Sequence, residues 1–245
     1  MGSRHLDLIS VWPDSDSCLE KAKQLSKRLK IPLRIDSELR LTVAKDQLGL
    51  AFGKERPYVV DFQSDEWLFR KRRGLQSNKA FLKALGLREG MEILDATAGF
   101  GQDAFVMAWA GANVTALEKS NIVFELLNDG LKRAADWDHL EQISTINLSA
   151  EEFLKDSPNF DVIYLDPMFD KPKKTAKSPK SMQLLQTLLG PTEDFGELLG
   201  SAIKKAGRVT VKMPLKAKPF KKPSFKMEGQ SIRYDIFIQQ VEERD

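Results

Sequence analysis

The chain has 245 residues, 42% of them hydrophobic and 30% charged, with a formal net charge of +3, one cysteine and two histidines. This is a globular composition with no run of 18 apolar residues and no apolar leader, so a cytoplasmic protein without a transmembrane helix is expected. Cys18, His5 and His139 exclude an intramolecular disulfide and are too few for a His/Cys metal centre or a Ser-His-Asp or Cys-His mechanism, so no metal is expected.

Two parts are predicted along the chain: residues 1–62 as a small N-terminal α/β extension, and residues 63–245 as the main domain. In the extension, Leu6 to Val11 reads as a strand. Ser17-x-x-Glu20 has the form of a capping box opening a helix through about Lys30. Leu39 to Val43 and Gln47 to Phe52 alternate as strands and are expected to form a hairpin. Tyr58 to Phe62 is a third strand candidate after Pro57.

From about residue 64 helix and strand alternate, as a doubly wound parallel sheet requires. Ser77 to Leu85 is a predicted helix closed by Gly86. A strand at 91–95 meets a glycine turn, and Gln102 to Ala110 is a helix ended by Gly111. A strand at 113–118 leads to a helix over Ile122 to Ala135. Gln142 to Asn147 is a strand, Ala150 to Lys155 a short helix, and Phe160 to Leu165 a strand. Helices are expected within 181–205 and a strand over Gly207 to Lys212. A long last strand over Ser231 to Gln240 is expected to pair with Ser224 to Met227 across Gly229.

The most informative stretch is Asp95-Ala96-Thr97-Ala98-Gly99-Phe100-Gly101, at the end of the strand-like Met91 to Leu94. Its two glycines lack a Cβ, so the backbone can approach a bound nucleotide closely. Glu118 follows 23 residues after Asp95, at the end of the next strand, where a carboxylate can accept hydrogen bonds from ribose hydroxyls. Gly99 to Ala104 also fits the G-x-G-x-x-G/A pattern of NAD-binding folds, so the turn alone leaves a nicotinamide enzyme open. Two features favour S-adenosylmethionine instead. Asp95 precedes the turn, where a pyrophosphate needs no carboxylate. Downstream, Val162 to Leu165 runs into Asp166-Pro167-Met168-Phe169, the [D/N]-P-x-[F/Y] pattern of enzymes that methylate exocyclic amino groups of bases.

These residues suit that chemistry. Methyl transfer from a sulfonium is mainly alignment and needs no metal or covalent intermediate. Asp166 can accept a hydrogen bond from the amino group, Pro167 stiffens the loop, and Phe169 can stack on the base. Asp103, at the start of the following helix, either favours the helix N-terminus electrostatically or positions the amino-acid part of the cofactor. Ser149 either caps the next helix through Ser149-x-x-Glu152 or lies beside the adenine.

Charge is unevenly distributed. Residues 88–165 carry 5 basic and 14 acidic side chains, and residues 166–226 carry 14 basic and 5 acidic. A basic block beside an acidic nucleotide-binding half suggests a polyanionic substrate. The candidate RNA contacts are Arg70, Arg72 and Arg73, then Lys171, Lys173, Lys174 and Lys177, then Lys212, with Lys216, Lys218, Lys221 and Lys222 as a further cluster. A solvated basic surface is the plain alternative.

Taken together, Asp95 to Val106, Leu117-Glu118-Lys119 and Val162 to Phe169 resemble the RsmJ-type family of bacterial 16S ribosomal RNA (guanine-N2)-methyltransferases. Leu189-Gly190-Pro191, Val209 to Lys212 and Tyr234-Asp235-Ile236 fit as well, and the resemblance covers about residues 57 to 240. It implies a Rossmann-like class I methyltransferase, an α/β fold with a seven-stranded doubly wound sheet whose last strand is reversed. It implies S-adenosylmethionine as cofactor, S-adenosylhomocysteine as product, and methylation at N2 of a guanosine in the last hairpin loop of 16S rRNA. The substrate is then 16S rRNA or the assembled small subunit, with no membrane and no obligate protein partner. The cofactor contacts it implies are Asp95, Ala96, Gly99, Gly101, Gln102, Asp103, Glu118, Lys119, Ser149, Ala150 and Asp166, with Asp166, Pro167 and Phe169 at the reaction. Gln102, Lys119 and Ala150 depart from the residues usual in the family. Lys119 keeps the charge but loses the planar fork of arginine. An amino-group methyltransferase for another RNA base, and a non-catalytic RNA-binding assembly factor, are the competing expectations.

Overall fold

The computed structural model describes residues 9–33, 37–134, 136–168, 188, 195–229 and 231–239. Two sheets organise them. The smaller has three strands, β1 (Ile9–Pro13), β2 (Leu39–Val43) and β3 (Leu48–Phe52), in the order β1-β2-β3. β1 pairs parallel to β2, and the expected β2-β3 hairpin is antiparallel with Leu41 opposite Leu50. Helix α1 (Leu19–Leu29) makes the crossover and buries Ala22, Leu25 and Leu29.

Three local expectations in this part are corrected. The Ser17 capping box does not form. The Ser17 hydroxyl instead bonds Ser15 at 2.8 Å, a 3-10 turn occupies Asp16–Cys18, and the helix starts at Leu19 without a side-chain cap. Tyr58 to Phe62 is not a strand: only Tyr58 bridges Leu50. Pro57 has no N–H to give a ladder, the Val60 carbonyl accepts from Arg133, and Phe62 turns into the core. The strand at Leu6 to Val11 is described from Ile9 onward and extends to Pro13.

The larger sheet has seven strands in the order β6-β5-β4-β7-β8-β10-β9. They are β4 (Glu92–Asp95), β5 (Asn113–Leu117), β6 (Ile143–Ile146), β7 (Phe160–Leu165), β8 (Ala206–Pro214), β9 (Phe225–Glu228) and β10 (Ile232–Ile238). The first five in that order are parallel, and β10 runs antiparallel to both β8 and β9. This is the doubly wound sheet with a reversed strand that the sequence led one to expect. Central strands read as near-continuous apolar runs because both faces are covered; in β7 only Asp161 is exposed. Helices α4 (Gln102–Trp109), α5 (Asn121–Arg133), α6 (Ala150–Asp156) and α7 (Phe195–Lys205) connect the strands.

Helix α2 (Asp65–Arg73) was not foreseen. Four successive basic residues give no apolar period. Its stability comes from acids in the first turn, bases in the last, and the burial of Trp67. A 3-10 turn (Gly74–Asn78) follows, so the expected helix from Ser77 begins as α3 at Lys79–Leu85, with Gly86 at φ 64° as its C-cap.

The two sheets share one apolar core. Phe62 stacks on Phe105 of α4 with centroids 4.2 Å apart, and Trp67 and Trp137 complete an aromatic cluster around Phe105. Such pairs contribute about 0.5–1.5 kcal/mol each beyond area burial. Gly130 lets α5 approach this junction, since a Cβ there would lie 2.7 Å from the Val60 carbonyl oxygen. Polar contacts reinforce it: Arg28 forks onto Glu125 at 2.8 Å through both nitrogens, and the Leu48 N–H donates to Asp129 at 3.0 Å.

Candidate active site

Four neighbouring strands deliver charged residues to one edge: Glu118, Asp95 and Asp166 at or just beyond the carboxyl ends of β5, β4 and β7, and Lys212 two residues inside the end of β8. In doubly wound sheets that edge is where ligands bind. The glycine turn lies against it. Gly99 and Gly101 have φ of 56° and 75°, and the Gly101 N–H donates to the Ala98 carbonyl at 2.8 Å, closing the turn.

Backbone hydrogen bonds hold the turn to both flanking strands. The Gly99 N–H donates to Glu118 Oε2 at 3.1 Å, and the Ser120 N–H donates to Oε1 at 2.7 Å. The Asp166 N–H donates to Thr97 Oγ1 at 2.7 Å, and the Ala96 N–H to the Tyr164 carbonyl at 3.1 Å. Asp95 is 1% exposed and accepts from the Thr97 N–H at 3.1 Å. The glycine turn and the Asp166 segment, 71 positions apart at Asp95 and Asp166, thus meet through Thr97.

Gly101 illustrates how tight the turn is. A Cβ there would lie 2.3 Å from Cδ1 of Leu127, which is wholly buried. Gly90 has the same φ of 75° with nothing within 4 Å of a Cβ. Gly90→Ala is therefore expected to cost only the left-handed strain, about 1 kcal/mol. Gly101→Ala is expected to cost about 2–4 kcal/mol once the clash is added. Thermal melts of the two variants check this, and equal losses would mean that Leu127 yields freely.

A second network lies beside the first. Lys212 Nζ donates to Asp103 Oδ2 and to Asp166 Oδ2, both at 2.9 Å. The Tyr164 hydroxyl donates to the same Asp103 oxygen at 2.7 Å. Phe81 packs against Tyr164 and Tyr234 behind this network. The exit of β8 is held by the buried Arg233–Asp235 pair at 2.8 Å, while Arg233 also donates to the Leu215 carbonyl at 2.7 Å.

The titrations follow from this packing. Burial, then repulsion from Asp103, pushes the Asp95 carboxyl well above the usual range despite the Thr97 N–H. Burial raises Glu118 to about 7, against the pull of the Ser120 and Gly99 N–H groups and of Lys119. Burial raises Asp166 to about 6, with Lys212 opposing and Asp103 adding to the rise. Burial by itself would lower Lys212, but Asp103 and Asp166 outweigh it and hold it firmly protonated. Burial, with Asp103 next, keeps the Tyr164 hydroxyl protonated.

Three carboxyl groups, Asp95, Asp103 and Asp166, therefore lie together with one lysine ammonium. The donor set fits a cationic ligand carrying hydroxyls. Each Glu118 oxygen has a lone pair left for a hydroxyl, the acidic residues favour positive charge, and the glycine turn admits close approach.

The structure brings Asp95, Ala96, Gly99, Gly101, Asp103, Glu118, Asp166 and Pro167 to one edge of the sheet. Ala96 and Pro167 are buried there. Gln102 and Lys119 are exposed beside the turn and β5, respectively. Ser149 caps α6, accepting from the Glu152 N–H at 3.2 Å, and Ala150 is buried behind it. Phe169, Lys171, Lys173, Lys174 and Lys177 lie outside the described residues. Arg70, Arg72 and Arg73 are on the last turn of α2: Arg70 bonds Glu66 at 2.5 Å, while Arg72 and Arg73 sit over Phe69. Lys212 lies among the site carboxylates. Thr97, Tyr164 and Asn147, which donates to the Glu118 carbonyl at 2.8 Å, were not singled out in the sequence. Thr97 stood inside the glycine motif, and Tyr164 sat two positions before Asp166.

Comparison with known proteins places these features in context. A family model for SAM-dependent methyltransferases matches residues 24–239. A Legionella pneumophila protein named ribosomal RNA small subunit methyltransferase J is 35% identical over 239 residues, covering 94% of this chain and 96% of the relative. A Pseudoalteromonas atlantica protein of the same name is 38% identical over 252 residues, covering 91% and 95%. The crystal structure of a SAM-dependent methyltransferase from Neisseria gonorrhoeae superposes with a TM-score of 0.74 at 27% identity, covering 96% of this chain and 97% of that one.

Proposed function

The chain belongs to the ribosomal RNA small subunit methyltransferase J family of SAM-dependent methyltransferases, and on that premise we propose that it methylates the exocyclic N2 of a guanosine in 16S rRNA of the small ribosomal subunit, in the last hairpin loop. The observation that carries this reading is the Asp166 carboxylate beside the glycine turn, tied to it by the Asp166 N–H bond to Thr97 at 2.7 Å. Residues 63–245 would carry the reaction, with the described part of 1–62 packed against them through the shared core.

S-adenosylmethionine supplies a methyl group on a positively charged sulfur, already activated toward a nucleophile. The residues of the chain then bind, orient and take up charge. Glu118 accepts from ribose hydroxyls, and Gly99 and Gly101 keep the backbone clear of the nucleoside. Gln102, Lys119, Ser149 and Ala150 border the adenosine end. Asp95 and Asp103 favour the cationic methionine end. Asp166 accepts a hydrogen bond from the guanine amino group, whose lone pair is otherwise delocalised into the ring. As that nitrogen becomes cationic, the Asp166 carboxylate stabilises it and can take the departing proton. Pro167 fixes the approach of Asp166, and Phe169 stacks on the base. No step in this scheme calls for a metal ion.

Lys212 is reassigned in this reading from RNA contact to a positioning residue. Bonded to both Asp103 and Asp166, it joins the cofactor side of the site to the base side. Arg70, Arg72, Arg73, Lys171, Lys173, Lys174 and Lys177 remain candidates for the RNA backbone.

Glu118 gives a pH test independent of turnover. With its carboxyl at about 7, it is mostly protonated at pH 6 and mostly ionised at pH 8. Only the ionised form accepts from two hydroxyls at once. S-adenosylmethionine is expected to bind about tenfold tighter at pH 8 than at pH 6. Calorimetric titration should show Glu118→Gln binding more weakly with a flattened profile; an unchanged profile would remove Glu118 from the ribose. The reading as a whole is tested by incubating the protein with labelled S-adenosylmethionine and isolated small subunits. Label in 16S rRNA supports it, and S-adenosylmethionine binding without transfer to subunits or naked 16S rRNA contradicts it.

A further inference from the structure

From Trp67 to Arg88 the chain carries seven basic residues and no acidic one. These residues form α2, the 3-10 turn and α3, and the 3-10 turn, α3 and the Gly86-Leu87 exit line an open hollow of about 580 Å³ on the molecular surface. Its apolar floor is Leu75, Leu82 and Leu87, and its polar rim is Gln76, Lys79 and Lys83. Both lysines are exposed. Beside it on α2, Phe69 is 50% exposed, and the Arg72 and Arg73 guanidiniums lie 5.9 and 5.6 Å from its ring.

The chemistry of this face favours nucleic acid over protein. Protein interfaces are depleted in lysine at their centres, whereas here lysines border an apolar floor. An apolar floor accepts the face of a base, Gln76 can read a base edge, and the lysines neutralise phosphates. An exposed aromatic ring with guanidiniums over it is a further stacking platform.

Its position relates it to the candidate active site. On the other side of α3, Phe81 packs 5.1 Å from Tyr164, whose hydroxyl donates to Asp103. An α-helix is about 10 Å across, so one helix separates the hollow from the carboxylate network. A strand whose target base reaches Asp166 has only a few nucleotides to span before meeting α3.

We propose that the outer face of α3, with the end of α2, is a second RNA-binding site that seats an unpaired nucleotide flanking the target guanosine. The inference rests on the reading of 16S rRNA as substrate and adds where the RNA outside the reaction centre is held. Lys79 and Lys83 take its phosphates, and the leucine floor takes its base.

The test is the affinity of the full chain for 16S rRNA by filter binding across a salt series, for the wild type and Lys79→Ala/Lys83→Ala. Both side chains are exposed, so the variant should fold and bind S-adenosylmethionine like the wild type. Its dissociation constant for RNA is expected to rise about tenfold, and its log–log salt slope to flatten by about 1–2, as two lost phosphate contacts require. Lys79→Glu/Lys83→Glu should raise it further. A wild-type affinity and slope in both variants would make this a solvated basic face and overturn the proposal. Methyl transfer by the wild type is measured separately: RNA binding that depends on Lys79 and Lys83 without transfer would overturn the functional reading and the place of the target guanosine while keeping α3 as an RNA-binding face, whereas transfer with unchanged RNA binding in both variants would overturn this inference alone.

Discussion

Asp166→Ala is expected to lower methyl transfer by about 10²–10³-fold while leaving the protein folded and able to bind S-adenosylmethionine. The fold should survive because the bond that ties this segment to the glycine turn comes from the Asp166 backbone N–H, not its side chain. Removing the carboxyl also leaves Lys212 paired with Asp103, so no buried charge is stranded. Asp166→Asn separates two roles. It keeps an acceptor for the guanine amino group but cannot take the proton. Near-complete activity in Asp166→Asn would assign Asp166 as an acceptor only, and a loss equal to that of Asp166→Ala would require its charge. Full activity in Asp166→Ala would remove Asp166 from the reaction.

Lys212→Met is the second large effect. Lys212 holds Asp103 and Asp166 together, with both bonds at 2.9 Å. Without it these carboxylates repel, and one takes up a proton at neutral pH. Buried Asp95 on β4, raised well above the usual carboxylate range, adds to the crowding of acidic groups, while Tyr164 on β7 still donates to Asp103. With S-adenosylmethionine saturating in the wild type, so that the titration of Glu118 no longer limits cofactor binding, the acid limb of kcat/KM for RNA is expected near 6, where Asp166 ionises. The ionised form is the active one, so activity falls as pH drops through that value. Lowering the cation's pull raises the Asp166 pKa, so in Lys212→Met the limb moves to higher pH and kcat at neutral pH falls about 10–100-fold. Lys212→Arg keeps the charge and should restore part of the rate. Had Lys212 been a phosphate contact, as its place in a basic run suggests, the variant would raise KM for RNA and flatten the salt dependence with the pH profile unmoved. The two outcomes are distinguishable in one set of rate measurements.

Lys212 also shows where sequence reading stops. Val209-Thr210-Val211-Lys212 is legible as a strand by alternation, and the strand is there. Its partners lie 46 and 109 positions away, and only the sheet order decides that β8 sits beside β7. The glycine turn and Glu118 were legible for the opposite reason, since their geometry is set within one β-α-β unit. Asp166 was legible because its motif follows directly on a strand. Helix α2 was hidden by its run of four basic residues, although it is stabilised by Trp67, Arg70 over the Trp67 ring at 4.9 Å, and Lys71 over the Trp137 ring at 4.6 Å. The expected capping box at Ser17 failed because a nearer hydroxyl, Ser15, competed for the side chain. Lys212 and helix α2 thus gave way to partners distant in sequence, whereas the Ser17 capping box was lost to a neighbour two positions away.

The most direct measurement is the identity and position of the modified nucleoside. Small subunits from a strain lacking the family enzyme would be incubated with the protein and labelled S-adenosylmethionine, and the 16S rRNA digested and mapped. N2-methylguanosine in the last hairpin loop is the expected product. Label on any other base or position, or none at all on subunits and naked 16S rRNA alike, would contradict the proposed function.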